Sequence, residues 1–135
     1  MKKIATGFVA MLSAGVALGD NLDGVDKMIC AAAQVQICIE NDTCYPAAPV
    51  ELGVPDFVVI DTKKKTISTT KSSDQNRSTS FSSVVKSDGL IYLQGMEGER
   101  AFSFVIDEAT GRMTVAVSRD GLSVSVFGAC TDTDL

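Results

Sequence analysis

The residues whose types could do chemistry are few. They are four cysteines, two carboxylate pairs and the Lys86-Ser87 step. Cys30, Cys38, Cys44 and Cys130 form an even set, separated by 7, 5 and 85 residues. A tetrahedral zinc site is built from two close pairs, which this spacing does not supply. Cys38 and Cys44 flank the turn-like segment 39–43, so a local bridge is geometrically easy. That leaves Cys30 for Cys130, and the pattern reads as two structural staples. No Cys-x-x-Cys is present for thiol exchange. The paired carboxylates are Glu97/Glu99 and Asp107/Glu108. General acid–base work needs one member of a pair in a protected site, and both pairs fall at expected turns. Lys86 and Ser87 are adjacent at a strand end, where neighbouring side chains diverge.

The chain has 135 residues and contains no histidine and no tryptophan. The missing imidazole removes the Ser-His-Asp triad, the Cys-His pair and histidine metal ligation. No Gly-x-Ser-x-Gly elbow or phosphate loop is present. The expectation is therefore a protein that is not an enzyme, with no cofactor and no metal.

These residues sit behind an export signal. Met1-Lys2-Lys3 is a short basic start, residues 4–18 are uncharged and mostly apolar, and Ala17-Leu18-Gly19 offers small residues for cleavage. The sequence thus reads as a signal peptide over 1–19 and one domain over 20–135. Cleavage removes Lys2 and Lys3, so Lys+Arg falls from 12 to 10 and the net charge from −5 to −7. No second apolar stretch approaches the roughly 20 residues of a membrane span. The expected location is the periplasm or the extracellular space. Lys63-Lys64-Lys65 is the basic run and reads as a solvated hairpin tip; at this net charge no nucleic-acid partner is expected.

The elements that must position these residues read as strands. Asp20 to Lys27 is an acidic, solvated lead-in, and 33–40 is the first strand. Residues 45–55 carry all three prolines and should form an extended loop with one short helical turn. Residues 57–60 and 66–70 make a hairpin about a polar tip. A meander follows over 80–86, 90–96, 100–106, 112–118 and 122–130. Its turns are marked by Asp88-Gly89, Glu97-Gly98-Glu99, 108–111 and Asp120-Gly121, and Asp-Gly between alternating runs is a strong hairpin signal. Phe102, Phe104 and Ile106 share one face, as do Met113, Val115 and Val117, and Leu122, Val124 and Val126, while Ser103, Thr114, Ser123 and Ser125 face the other way. Phe127 follows Val126 directly and breaks the alternation; Phe81, Tyr92 and Phe127 are expected in the core, the alternative being an outward aromatic beside Tyr92 that forms a partner patch. The fold class is all-β: a small antiparallel up-and-down barrel of about eight strands, stapled by disulfides. A two-sheet sandwich is the alternative.

The segments Asp88–Gly95, Arg100–Ile106, Ala109–Met113 and Val126–Thr131 resemble a family of small exported bacterial β-proteins of unassigned function. That resemblance implies the fold and export. The chain is also similar, more weakly, to the periplasmic and membrane-bound inhibitors of c-type lysozyme, small exported eight-stranded barrels with a disulfide near the C-terminus. Their inhibitory loop carries Ser and Lys in a Ser-Gly-x-x-Tyr-like setting. Lys86-Ser87-Asp88-Gly89-Leu90-Ile91-Tyr92 matches it loosely, with Asp88-Gly89 already serving as the turn.

The function expected is a binding or interaction module, with Lys86, Ser87, Tyr92, Glu97, Glu99 and Arg100 in its contact loops. A basic protein is one partner class, including a lysozyme in the inhibitor-like reading. A small apolar ligand carried calycin-like inside the barrel is another, and a structural envelope role a third. Whether the interior is hollow or filled separates them.

Overall fold

A computed structural model describes residues 21–135; the expected signal peptide, 1–19, and Asp20 lie outside the described residues. Ten antiparallel strands form one sheet: β1 (Lys27–Ile39), β2 (Cys44–Ala47), β3 (Phe57–Asp61), β4 (Thr66–Thr69), β5 (Ser78–Ser80), β6 (Ser83–Ser87), β7 (Leu90–Glu97), β8 (Arg100–Asp107), β9 (Arg112–Arg119) and β10 (Leu122–Asp132). A single 3-10 turn spans Pro49–Leu52. The sheet order is β5-β4-β3-β1-β10-β9-β8-β7-β6, with β2 pairing β1 beside β3.

The two ends of that order are consecutive in the chain, parted only by Phe81 and Ser82. Phe81 N–H still donates to the Lys65 carbonyl on the β4 side at 2.8 Å, while Ser82 N–H donates to the Gln94 carbonyl of β7, also at 2.8 Å. One bent segment therefore passes from one sheet end to the other and gives the sheet its barrel-like curl. Counting β5 and β6 as that one segment, and β2 as an added ribbon on β1, eight strands surround the core. The sandwich alternative is not the architecture found.

Alternation builds the core. Ile91 and Leu93 on β7, Phe104 and Ile106 on β8, Met113 and Val115 on β9, and Val124 and Val126 on β10 are all buried. Turn chemistry sets the register. Asp88 and Gly89 both take positive φ, 51° and 77°, as a type I′ hairpin requires. Both staples form, Cys30–Cys130 and Cys38–Cys44, each between directly paired residues of neighbouring strands. Disulfides of this kind persist in oxidising, extracytoplasmic surroundings. No helix among the described residues is long and apolar enough to cross a membrane.

Besides the strand at Cys44–Ala47, in place of the expected loop, and the break at 81–82 in the strand expected over 80–86, two sequence expectations change. The first strand begins at Lys27, six residues before the expected start. Ala31-Ala32-Ala33 favours helix intrinsically, but Ala31 is paired with Ala129 of β10 and Phe57 of β3, and Ala32 with Gly128 of β10. The register slips at Ala33, where an extra residue forms a bulge. The lead-in is also not simply solvated. Leu22 is fully buried; its N–H donates to the Glu108 carbonyl at 2.6 Å, and its own carbonyl accepts from Val25 N–H. Thr62 hydroxyl and N–H both bind the Asp26 carbonyl. The segment is thus folded against one end of the barrel.

Candidate functional site

The two halves of the interior differ because their inner-facing residues differ in size. One half is filled by Leu22, Met28, Ile60, Ile91, Leu93 and Ile106, none of which exposes any surface. Toward the other end smaller or polar residues line the interior, among them Ala32 on β1, Thr69 on β4 and Thr79 on β5. The space they leave is a cavity of about 180 Å³. Its lining is mainly apolar, from Val58, Ile67, Phe102, Phe104, Val115 and Val117, and Leu52, Val54 and Pro55 stand at its edge. The interior is therefore solid at one end and hollow at the other.

The aromatic wall is fixed by an edge-to-face triad. Phe81, Phe102 and Phe104 have ring centroids 5.6–5.9 Å apart and planes inclined by 73–76°, a preferred aromatic geometry. Gly95 makes this possible, since a Cβ there would lie 2.7 Å from the Phe102 ring.

The mouth is charged. Arg77, Glu97 and Arg100 all border the cavity. Alternation carries Arg100 onto the same face as Phe102, Phe104 and Ile106, and Glu97 onto the face of Ile91, Leu93 and Gly95. Arg77 donates from Nη2 to both Glu97 carboxylate oxygens at 2.9 Å, and from Nη1 to Gln75 Oε1 at 3.1 Å. Arg100 faces Glu97 directly in the β7–β8 register but joins no ion pair among the described residues.

The loop bearing Leu52 to Pro55 is tied down from several sides. Ala48 N–H donates to Glu51 Oε2 at 2.9 Å, Gln75 Nε2 donates to the Gly53 carbonyl at 3.2 Å, and the Cys38–Cys44 bridge anchors β2 just before it.

The sequence-derived contact residues fall at opposite ends of β7. Lys86 and Ser87 precede the hairpin at the filled end, and Glu97, Glu99 and Arg100 surround the hairpin at the hollow end. Seven strand steps, about 24 Å, separate the two turns. They cannot form one small contact site. Lys86 is engaged locally: Nζ donates to the Val25 carbonyl at 3.3 Å and lies 3.7 Å from Asp26. Asp26 also meets Lys63 at 3.4 Å, so the basic run has one of its lysines paired with the lead-in.

Phe81 is in the core as expected, but Tyr92 and Phe127 face outward rather than joining it. Val85, Tyr92, Val105, Thr114 and Phe127 are cross-strand neighbours in one row over β6 to β10, and all five are exposed. Val126, by contrast, is buried. Of the carboxylate pairs, Glu97 is held by Arg77, Glu99 is exposed at its turn, and Asp107 accepts the N–H groups of Ala109 and Thr110 to shape the next turn. No group of three or more Cys, Asp or Glu side chains suited to a metal ion occurs among the described residues.

Sequence reasoning missed Arg77 and the 52–55 edge. Arg77 sits in a polar connector with no periodicity to place it. The available signal was the small or polar residues Ala32, Thr69 and Thr79 at positions that line one end. No protein-family model, curated protein or solved structure matches the chain.

Proposed function

We propose that the protein is an exported, periplasmic, non-catalytic binding module that carries a small apolar ligand in the hollow end of its barrel. The observation that carries this reading is the apolar cavity of about 180 Å³ beneath a polar mouth. An engineered cavity of about 150 Å³ lined by Leu, Ile and Phe stays dry and admits benzene, so the fitting ligand is a six-carbon ring or a chain of similar length. Burying five methylene-sized groups at ~0.8 kcal/mol each gives about 4 kcal/mol, a dissociation constant near 1 mM for the tail alone.

Supporting this reading, the filled end and the two staples make the remaining walls rigid, so the cavity is preformed. The contact residues at the mouth, Glu97 and Arg100, come from the sequence reading. Lys86, Ser87 and Tyr92 lie away from it and take no part in this proposal.

Native mass spectrometry of the protein mixed with millimolar 1-hexanol tests the proposal. The expected spectrum contains a ligand-bound species that collapses to the polypeptide mass on activation. Val115→Phe should fill the cavity and abolish binding of 1-hexanol. A bare polypeptide at millimolar 1-hexanol, or 1-hexanol binding unaffected by that substitution, would refute it.

A further inference from the structure

Resting on the carrier reading, the geometry points to a ligand with an anionic head: we infer that Arg100, with Arg77 beside it, captures the carboxylate of a short amphipathic acid whose tail fills the cavity.

The charge arrangement is the basis. Three charged side chains border the cavity, two cationic and one anionic. Glu97 is consumed by Arg77, whose Nε and Nη2 both reach its carboxylate, at 3.3 and 2.9 Å. One positive charge is left over, on Arg100. This local excess stands in a chain whose formal net charge is −5, so it is not the general character of the surface. Glu51, at the loop edge, points its carboxylate back to Ala48 N–H and does not neutralise Arg100.

The placement is also what such a ligand needs. Arg100 is exposed, so its guanidinium remains hydrated without a ligand and costs nothing to keep unpaired. Its strand positions it two residues from Phe102, which forms the cavity wall. A carboxylate at the mouth can therefore meet the planar donor fork of Arg100 while the tail runs inward past Phe102 and Phe104. Arginine suits this better than lysine because its donors match a carboxylate in two parallel hydrogen bonds. Neutral or cationic heads would lack that contact, and a cationic head would face the excess charge.

Isothermal titration with the matched probes hexanoate, 1-hexanol and hexylammonium tests the inference. Hexanoate should bind about tenfold more tightly than 1-hexanol, the equivalent of about 1.4 kcal/mol, and the advantage should shrink as salt is raised from 0.05 to about 0.5 M. Hexylammonium should bind more weakly than 1-hexanol. Arg100→Gln should remove the hexanoate advantage and leave 1-hexanol unchanged. Glu97→Gln, which frees Arg77, should strengthen hexanoate binding further. Equal affinities for hexanoate and 1-hexanol, or an unchanged advantage in Arg100→Gln, would overturn the anionic head while leaving the apolar cavity reading intact. Failure of all three probes to bind would overturn both.

Discussion

Leu22→Ala is the sharpest perturbation of the barrel's closed end. Leu22 lies in an acidic stretch, Asn21-Leu22-Asp23-Gly24-Val25, that looks solvated, yet it exposes none of its surface. It packs in one cluster with Met28, Ile60, Ile91 and Ile106. Truncation removes three carbon groups, about 2.4 kcal/mol of transfer free energy at ~0.8 kcal/mol each. A residual cavity adds to this, and Leu→Ala in well-packed cores costs about 2.7–5 kcal/mol. Leu22 sits on a short lead-in that can settle inward, so the low end applies, about 2.5–3 kcal/mol. With an m-value of ~1.5 kcal/mol/M, the urea midpoint should fall by about 2 M with m unchanged. Urea unfolding followed by far-UV circular dichroism provides the measurement. Val50→Ala is the control, since Val50 is 74% exposed, and it should change stability by less than about 0.5 kcal/mol. If Leu22→Ala behaves like Val50→Ala, the lead-in does not close the barrel, and the contrast between a filled and a hollow end fails.

Further outcomes follow from the same structure. Replacing Cys30 and Cys130 together by alanine opens a loop spanning a separation of 100 residues and should cost about 4–5 kcal/mol. The Cys38/Cys44 pair, at a separation of 6, should cost nearer 2 kcal/mol in the same denaturant assay. A larger loss from the shorter loop would contradict the chain-entropy account. Gly128→Ala would place a Cβ against the Ala31 carbonyl oxygen and 2.9 Å from Met113 Cε, and backbone is the part that cannot yield. It should destabilise by about 3 kcal/mol or fail to fold, whereas Ala129→Gly beside it should cost less than half as much in thermal melts.

The parts of the fold that were legible were those governed by local rules. Asp88-Gly89 demanded a tight turn and makes one, with both residues at positive φ. The inward run Phe102, Phe104, Ile106 followed from a period of two. The even cysteine set led to the right pairing because Cys38 and Cys44 flank a segment short enough to bridge locally, which leaves Cys30 for Cys130. Features decided by tertiary contact were not legible. Ala31 to Ala33 carry helical propensity, and the pairing of Ala31 on both sides and of Ala32 with β10 overrules it. Leu22 is a lone apolar residue without a periodic context, so only the assembled barrel shows that it plugs an end. Arg77 reaches Glu97 across 20 residues of sequence, and nothing local signals that. The hollow half escaped sequence reasoning for a further reason: interior volume depends on how eight strands curl together, not on any one strand's pattern.

The central claim is that the end bordered by Arg77, Glu97 and Arg100 is a ligand site. Methyl-resolved NMR titration with hexanoate tests it most directly, because the cavity and the solid core carry different methyl groups. The account predicts saturable shifts at Val58, Ile67, Val115 and Val117, with Ile60, Ile91 and Ile106 unmoved. Shifts confined to the outer row of Val85 and Val105, or no saturable shift at any cavity methyl, would contradict it.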